Sequence, residues 1–154
     1  MVKDQYQTEI ITIGSTVPDI ELMDANQNKL NLSELKGSVV FIHFWATWCE
    51  PCIDELPSME ILFRRFSTNP HFKLITVLFK DDRKKVLRYM EENGYTFPVY
   101  VNPDGSAAKK FGITGVPETF IIDKNGVLRD KMIGPEQWDS PIIMEMLQSM
   151  LLEQ

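Results

Sequence analysis

Apolar residues follow two spacings along this chain of 154 residues. Ser38–Trp45 and Phe72–Phe79 are almost continuously apolar. That is too apolar for strands with one wet face and fits central strands covered on both sides. Phe97–Val101, Pro117–Asp123 and Val127–Ile133 read as further strands, the last two joined by a turn at Lys124-Asn125-Gly126, where Asn-Gly tolerates positive φ. Ahead of them, Ile10–Ile13 and Ile20–Met23 read as short strands, with Lys29–Leu32 returning as a hairpin partner. Ser33-Glu34-Leu35-Lys36-Gly37 predicts a helical turn capped by Ser33.

Helical spacing appears elsewhere. Glu50–Phe66 carries Pro51 in its first turn and Pro57 inside, then Met59, Leu62, Phe63 and Phe66 on one face. A second helix, capped by Asp81 or Asp82, runs through Glu92 and stops at Asn93-Gly94. Ser106–Phe111 is a short third. The last starts near Asp139 and places Ile142, Ile143, Met146, Leu147, Met150 and Leu151 on one face. The order is a βαβ half, an inserted α-β-α stretch and a ββα half. It predicts an α/β fold, a mixed central sheet with helices on both faces and an N-terminal β-hairpin extension.

The length suits one domain, residues 1–154. The net charge of −6 disfavours nucleic acid, whose phosphates need a basic face. No run approaches the roughly 18 to 20 apolar residues of a membrane span. Met1-Val2-Lys3-Asp4-Gln5 shows no secretion signal. The expectation is a cytoplasmic chain, or a mature portion whose leader or membrane anchor lies outside it.

The chemistry is concentrated at Cys49-Glu50-Pro51-Cys52, which holds both cysteines of the chain and directly follows Phe44-Trp45-Ala46-Thr47-Trp48. A buried strand running into C-x-x-C at the start of a helix suits a dithiol that cycles to a disulfide. Cys49, at the helix end, is the expected exposed nucleophile, because unpaired N–H groups and the helix dipole favour its thiolate. Cys52, one turn inside, is the expected buried resolving thiol. Pro51 stiffens the turn, and Glu50 sets negative charge beside the developing thiolate, so both are expected to tune the pair.

Trp45-Ala46-Thr47-Trp48-Cys49-Glu50-Pro51-Cys52 resembles the thioredoxin-fold oxidoreductases, and more narrowly the TlpA/ResA-like group that includes the cytochrome c maturation thioredoxins. The segments Val17–Leu22 and Leu32–Gly37, Pro57 five residues after Cys52, Gly115–Asp123 and the insertion Asp82–Thr114 carry the same resemblance, which covers residues 13–152. It implies a thioredoxin fold. It implies a thiol–disulfide oxidoreductase with no cofactor beyond the Cys49–Cys52 disulfide and no metal. Its partners would be protein disulfides, such as apocytochrome c, and a dithiol donor protein. The chain would be a monomer in the periplasm or otherwise outside the cytoplasm.

The resemblance also implies roles for single residues. Glu55 would be a partly buried carboxyl exchanging protons with Cys52. Val116-Pro117 would be cis and would turn the Val116 backbone toward a substrate peptide. Glu118 would line the substrate groove with Glu55, and Trp48 would supply an apolar platform beside Cys49. His43 stands where thioredoxins proper carry a buried acid. It is either a proton relay that tunes the pair or a core histidine bonded to backbone.

Two other readings differ in class. Cys49, Cys52 and His43 could carry copper or zinc, since thiolates suit Cu(I), although this is a poor closed ligand set. A thiol peroxidase would place threonine and proline where Ala46 and Ile42 stand.

Overall fold

The computed structural model describes residues 10–154, so the opening segment read for a leader lies outside it. Strands β1 (Glu21–Met23) and β2 (Lys29–Asn31) form the expected hairpin as an antiparallel sheet of their own. Asp24 Oδ1 accepts the N–H groups of Asn26 and Asn28 and so closes the turn. The helical turn that follows spans Leu32–Leu35 and is capped by Asn31, not Ser33. The Ser33 N–H is taken instead by Asp19 Oδ1 at 3.0 Å. Ile10–Ile13 is not a strand. Ile11 N–H bonds to the Lys110 carbonyl, and the turn at Gly14, with φ of 93°, bends the chain before a ladder can form.

The central sheet contains β3 (Val39–Trp45), β4 (Phe72–Leu78), β5 (Val99–Tyr100), β6 (Glu118–Ile122) and β7 (Leu128–Ile133). Their order is β5-β4-β3-β6-β7, so the most apolar strand lies in the middle. It runs parallel to β4 and antiparallel to β6. The sheet is mixed, as the order of elements implied, and the architecture is the thioredoxin fold.

Four helices cover the sheet: α1 (Glu50–Phe66), α2 (Arg83–Asn93), α3 (Ser106–Phe111) and α4 (Pro141–Leu152). Side chains of β3 alternate between two cores. Phe41 and Trp45 pack with Leu56, Met59 and Leu62 of α1 and with Ile143, Leu147 and Met150 of α4. Val40, Ile42 and Phe44 pack with Phe111 of α3 and with Leu22 of the hairpin. His43 belongs to the first set by this alternation, which puts an imidazole under the start of α1.

The fourth helix begins at Pro141 with Ser140 as its cap, two residues after the expected start. Ile142, expected on the core face, is 80% exposed. The buried stripe is Ile143, Leu147 and Met150. Ile142 sits about 100° of helix rotation away from Ile143, beyond the edge of the stripe.

Candidate active site

Three loops meet at the N-terminus of α1. The first joins β3 to α1 and carries Thr47, Trp48 and Cys49. Thr47 donates its N–H and its hydroxyl to Asp81 Oδ2, at 2.7 and 2.6 Å. Burial raises the Asp81 carboxyl, but these two bonds from Thr47, with help from the Asp82 N–H, outweigh it and hold the group below the usual range. Asp82 is the residue that caps α2, accepting the Lys84 N–H. Asp81 belongs to the site loop instead. Lys80, in the left-handed region at φ 51°, turns its carbonyl to accept the Trp48 indole N–H at 2.9 Å. The indole is thereby fixed while 55% exposed. Lys80 also lines an apolar groove with Phe44, Phe79 and Ile113.

Cys49 takes the N-cap position, with extended backbone at φ −101° and ψ 107°. The Cys52 N–H donates to Cys49 Sγ at 3.2 Å. The two sulfurs form a disulfide, with Cα atoms 5.2 Å apart. Cys49 is 6% exposed and Cys52 is wholly buried. Glu50 and Pro51 face solvent at the first turn. The third loop brings up the Val116 carbonyl, whose oxygen lies 3.6 Å from Cys49 Sγ, and the Val116–Pro117 peptide bond is cis.

The layer below is polar and buried. His43 is fully buried on β3. Its Nδ1 is 2.7 Å from Thr119 Oγ1, and its Nε2 is 2.8 Å from Glu55 Oε1. The second contact is at ion-pair distance, and neither atom has another partner. Glu55 is 3% exposed. Its Oε2 accepts the Trp138 indole N–H at 2.8 Å and the Glu136 N–H at 3.1 Å. Ser58 accepts the Trp138 N–H, closing the same corner.

The site therefore brings together Cys49, Cys52, Trp48, Val116 and Pro117, with Glu55 and His43 beneath. Glu118 departs from its expected place. It is 3% exposed, and its Oε2 takes the N–H groups of Thr114 and Gly115, so it braces the loop before Val116 from inside. Patterns along the chain do not mark Thr47, Asp81, Thr119, Glu136 and Trp138 as members of the site. Thr47 and Thr119 sit in motif segments and Asp81 is a candidate cap, but their bonds and those of Glu136 and Trp138 join residues at least 34 positions apart.

The family model of AhpC/TSA matches residues 13–131. The chain belongs to the AhpC/TSA family. The relatives it resembles are redox proteins. The thiol-disulfide oxidoreductase ResA of Geobacillus thermodenitrificans is 32% identical over 124 residues, covering 80% of this chain and 71% of that protein. ResA of Bacillus subtilis is 34% identical over 118 residues, 77% of this chain and 65% of that one. Among solved structures, a protein described as a DsbE-type thiol:disulfide interchange protein from Chlorobium tepidum is 26% identical. It superposes with a TM-score of 0.79 over 92% of this chain and 99% of its own. This AhpC/TSA family member is a thiol–disulfide oxidoreductase, and Cys49–Cys52 is its redox pair.

No described helix is long and apolar enough to cross a membrane. Among the described residues no group of three or more His, Cys, Asp or Glu side chains is arranged to hold a metal. Both imidazole nitrogens of His43 face Thr119 and Glu55, which leaves neither for the copper or zinc set considered above.

Proposed function

We propose that this oxidoreductase is a reductant of protein disulfides outside the cytoplasm, apocytochrome c among them, and that it works as a single-domain monomer recharged by a dithiol donor protein. The observation that carries the reading is the unequal setting of the two sulfurs. Cys49, expected to be exposed, keeps only a 6% edge open between the exposed Trp48 and the Val116 carbonyl, because the disulfide and the Val116 loop cover it, and Cys52 is sealed behind it. The relatives' names, thiol-disulfide oxidoreductase and thiol:disulfide interchange protein, support the class of reaction.

In the reduced protein, the Cys49 thiolate attacks one sulfur of the client disulfide. The client S–S bond breaks, and the departing client sulfur takes up a proton. The mixed disulfide is resolved when Cys52 loses its proton and attacks Cys49 Sγ, releasing the second client thiolate. Two electrons pass from the dithiol to the client. The Cys52 N–H that now meets Cys49 Sγ at 3.2 Å stabilises the thiolate at the start and the partial charge during attack.

Cys52 is wholly buried, so its proton needs an acceptor inside the protein. Glu55 lies one helical turn further along the same buried face of α1, and we assign it as the proton acceptor. Trp48 and the Val116 backbone receive the client, Pro117 shapes that loop, and Glu118 supports it from within. Pro51 and Glu50 tune the pair.

The test is capture. Cys49→Ser is expected to abolish disulfide reduction, and Cys52→Ser to accumulate mixed disulfides that mass spectrometry can identify. Clients bearing C-x-x-C-H would establish the cytochrome reading. A Cys49→Ser variant that still turns over, or a captured set made only of cytoplasmic proteins, would overturn it.

A further inference from the structure

The buried carboxyl beneath the C-x-x-C does not stand alone. Glu55 and His43 have side chains 1% and 0% exposed, with Nε2 and Oε1 2.8 Å apart and no other partner for either atom. Their other polar atoms are anchored. Thr119 Oγ1 holds Nδ1, while the Trp138 indole and the Glu136 N–H hold Oε2. A carboxylate or an imidazolium buried without a counterpart is strongly disfavoured.

We infer that His43 and Glu55 act as one proton-holding unit, in which His43 is the positioning residue that sets the charge and the aim of Glu55. With one proton between them, the imidazole is neutral and Glu55 is a carboxylate facing it. When Cys52 gives up its proton, the unit binds two, as imidazolium and carboxylate or as neutral imidazole and carboxylic acid. The added charge stays inside the pair. This rests on the assignment of Glu55 as proton acceptor and extends it to a residue on a different strand.

The surroundings leave little else to titrate. β3 offers Phe41, whose ring centroid is 6.4 Å from the imidazole, and Trp138 packs edge-on at 5.8 Å. β6 offers Thr119, and β7 pairs it with Met132. From α4 the same core receives Ile143 and Leu147. Lys131 lies over Phe120, which alternates to the other face, and Glu118 turns to Thr114 and Gly115. Among the described residues, and apart from Cys52 one turn back on α1, the ionisable partner in contact with each member is the other.

The experiment uses the full reduced chain and dithiobisnitrobenzoate in stopped flow. A first burst of coloured thiolate reports attack by Cys49. A second reports resolution by Cys52, as the mixed S–S bond breaks and a new Cys49–Cys52 bond forms. Glu55→Gln and His43→Gln are each expected to slow the second phase on the order of 100-fold, the low end of general acid–base effects. The double variant should be no slower than the slower single one, and the first phase should stay within about twofold.

Multiplying effects, both phases slowed alike, or a slow Glu55→Gln beside an unaffected His43→Gln would each overturn the coupling. The last outcome would leave Glu55 in its role. An unaffected Glu55→Gln would remove that role and the inference together. If His43→Gln does not fold, nitrogen-15 imidazole spectra replace it. Only two histidines are present, and exposed His71 is the internal reference. Glu55→Gln is expected to change the tautomer balance of the His43 imidazole while the His71 signals stay fixed. An unchanged balance overturns the inference.

Discussion

Glu50 follows the nucleophile directly and points into solvent. Its charge opposes the helix end that favours the Cys49 thiolate. A surface charge in the first turn is worth about 0.3–1 kcal/mol, and about 30 mV corresponds to 1.4 kcal/mol for a two-electron couple. Glu50→Gln relieves that opposition, stabilises the reduced form and should raise the reduction potential by roughly 5–20 mV. Equilibration against glutathione measures it, and a fall would mean that Glu50 acts through another contact. Residue identity alone makes this much readable. C-x-x-C, its tryptophans and the proline downstream are local signals. The lower layer is different. His43 is ambiguous in the sequence because its partners, Thr119 and Glu55, are set by strand register and helix docking rather than by spacing.

Elements are legible in proportion to how local their causes are. The two central strands and α1 follow from runs and spacing that need no partner. The start of α4 and the fate of Ile10–Ile13 do not, because a cap and a turn decide them. The strongest tie between elements is invisible for the same reason. Glu60, on α1, accepts from the hydroxyl and N–H of Thr96, from the Phe97 N–H and from Arg64. Burial pushes its carboxyl up, but these donors outweigh burial and hold it below its ordinary 4.5.

A carboxyl lowered in the folded state contributes stability that is present above its unfolded value. That stability is lost as pH falls through the folded one. Unfolding by urea should therefore become easier below about pH 4.5. Glu60→Gln should cost about 1–3 kcal/mol at neutral pH and flatten that acid slope. An unchanged slope would show that other carboxylates govern it.

At the scale of the molecule, the sheet has two flanks. On one, β5 is two residues long, and the next residue, Val101, exchanges two 2.9 Å bonds with Met23 of the hairpin. On the other, β7 sets Arg129, Asp130 and Lys131 in a row, and charge along an open strand resists edge-to-edge association. Replacing Asp130 and Lys131 by valine should shift the protein toward larger species in sedimentation equilibrium. An unchanged mass would assign the protection to something else.

The clasp between Met23 and Val101 reaches further than solubility. With one border of the sheet stitched shut and the other bristling with charge, the backbone left for the proposed client to lie along is that beside Val116. A client gripped at so few points would let go once its sulfurs have been served, so that a single molecule could call on many in turn.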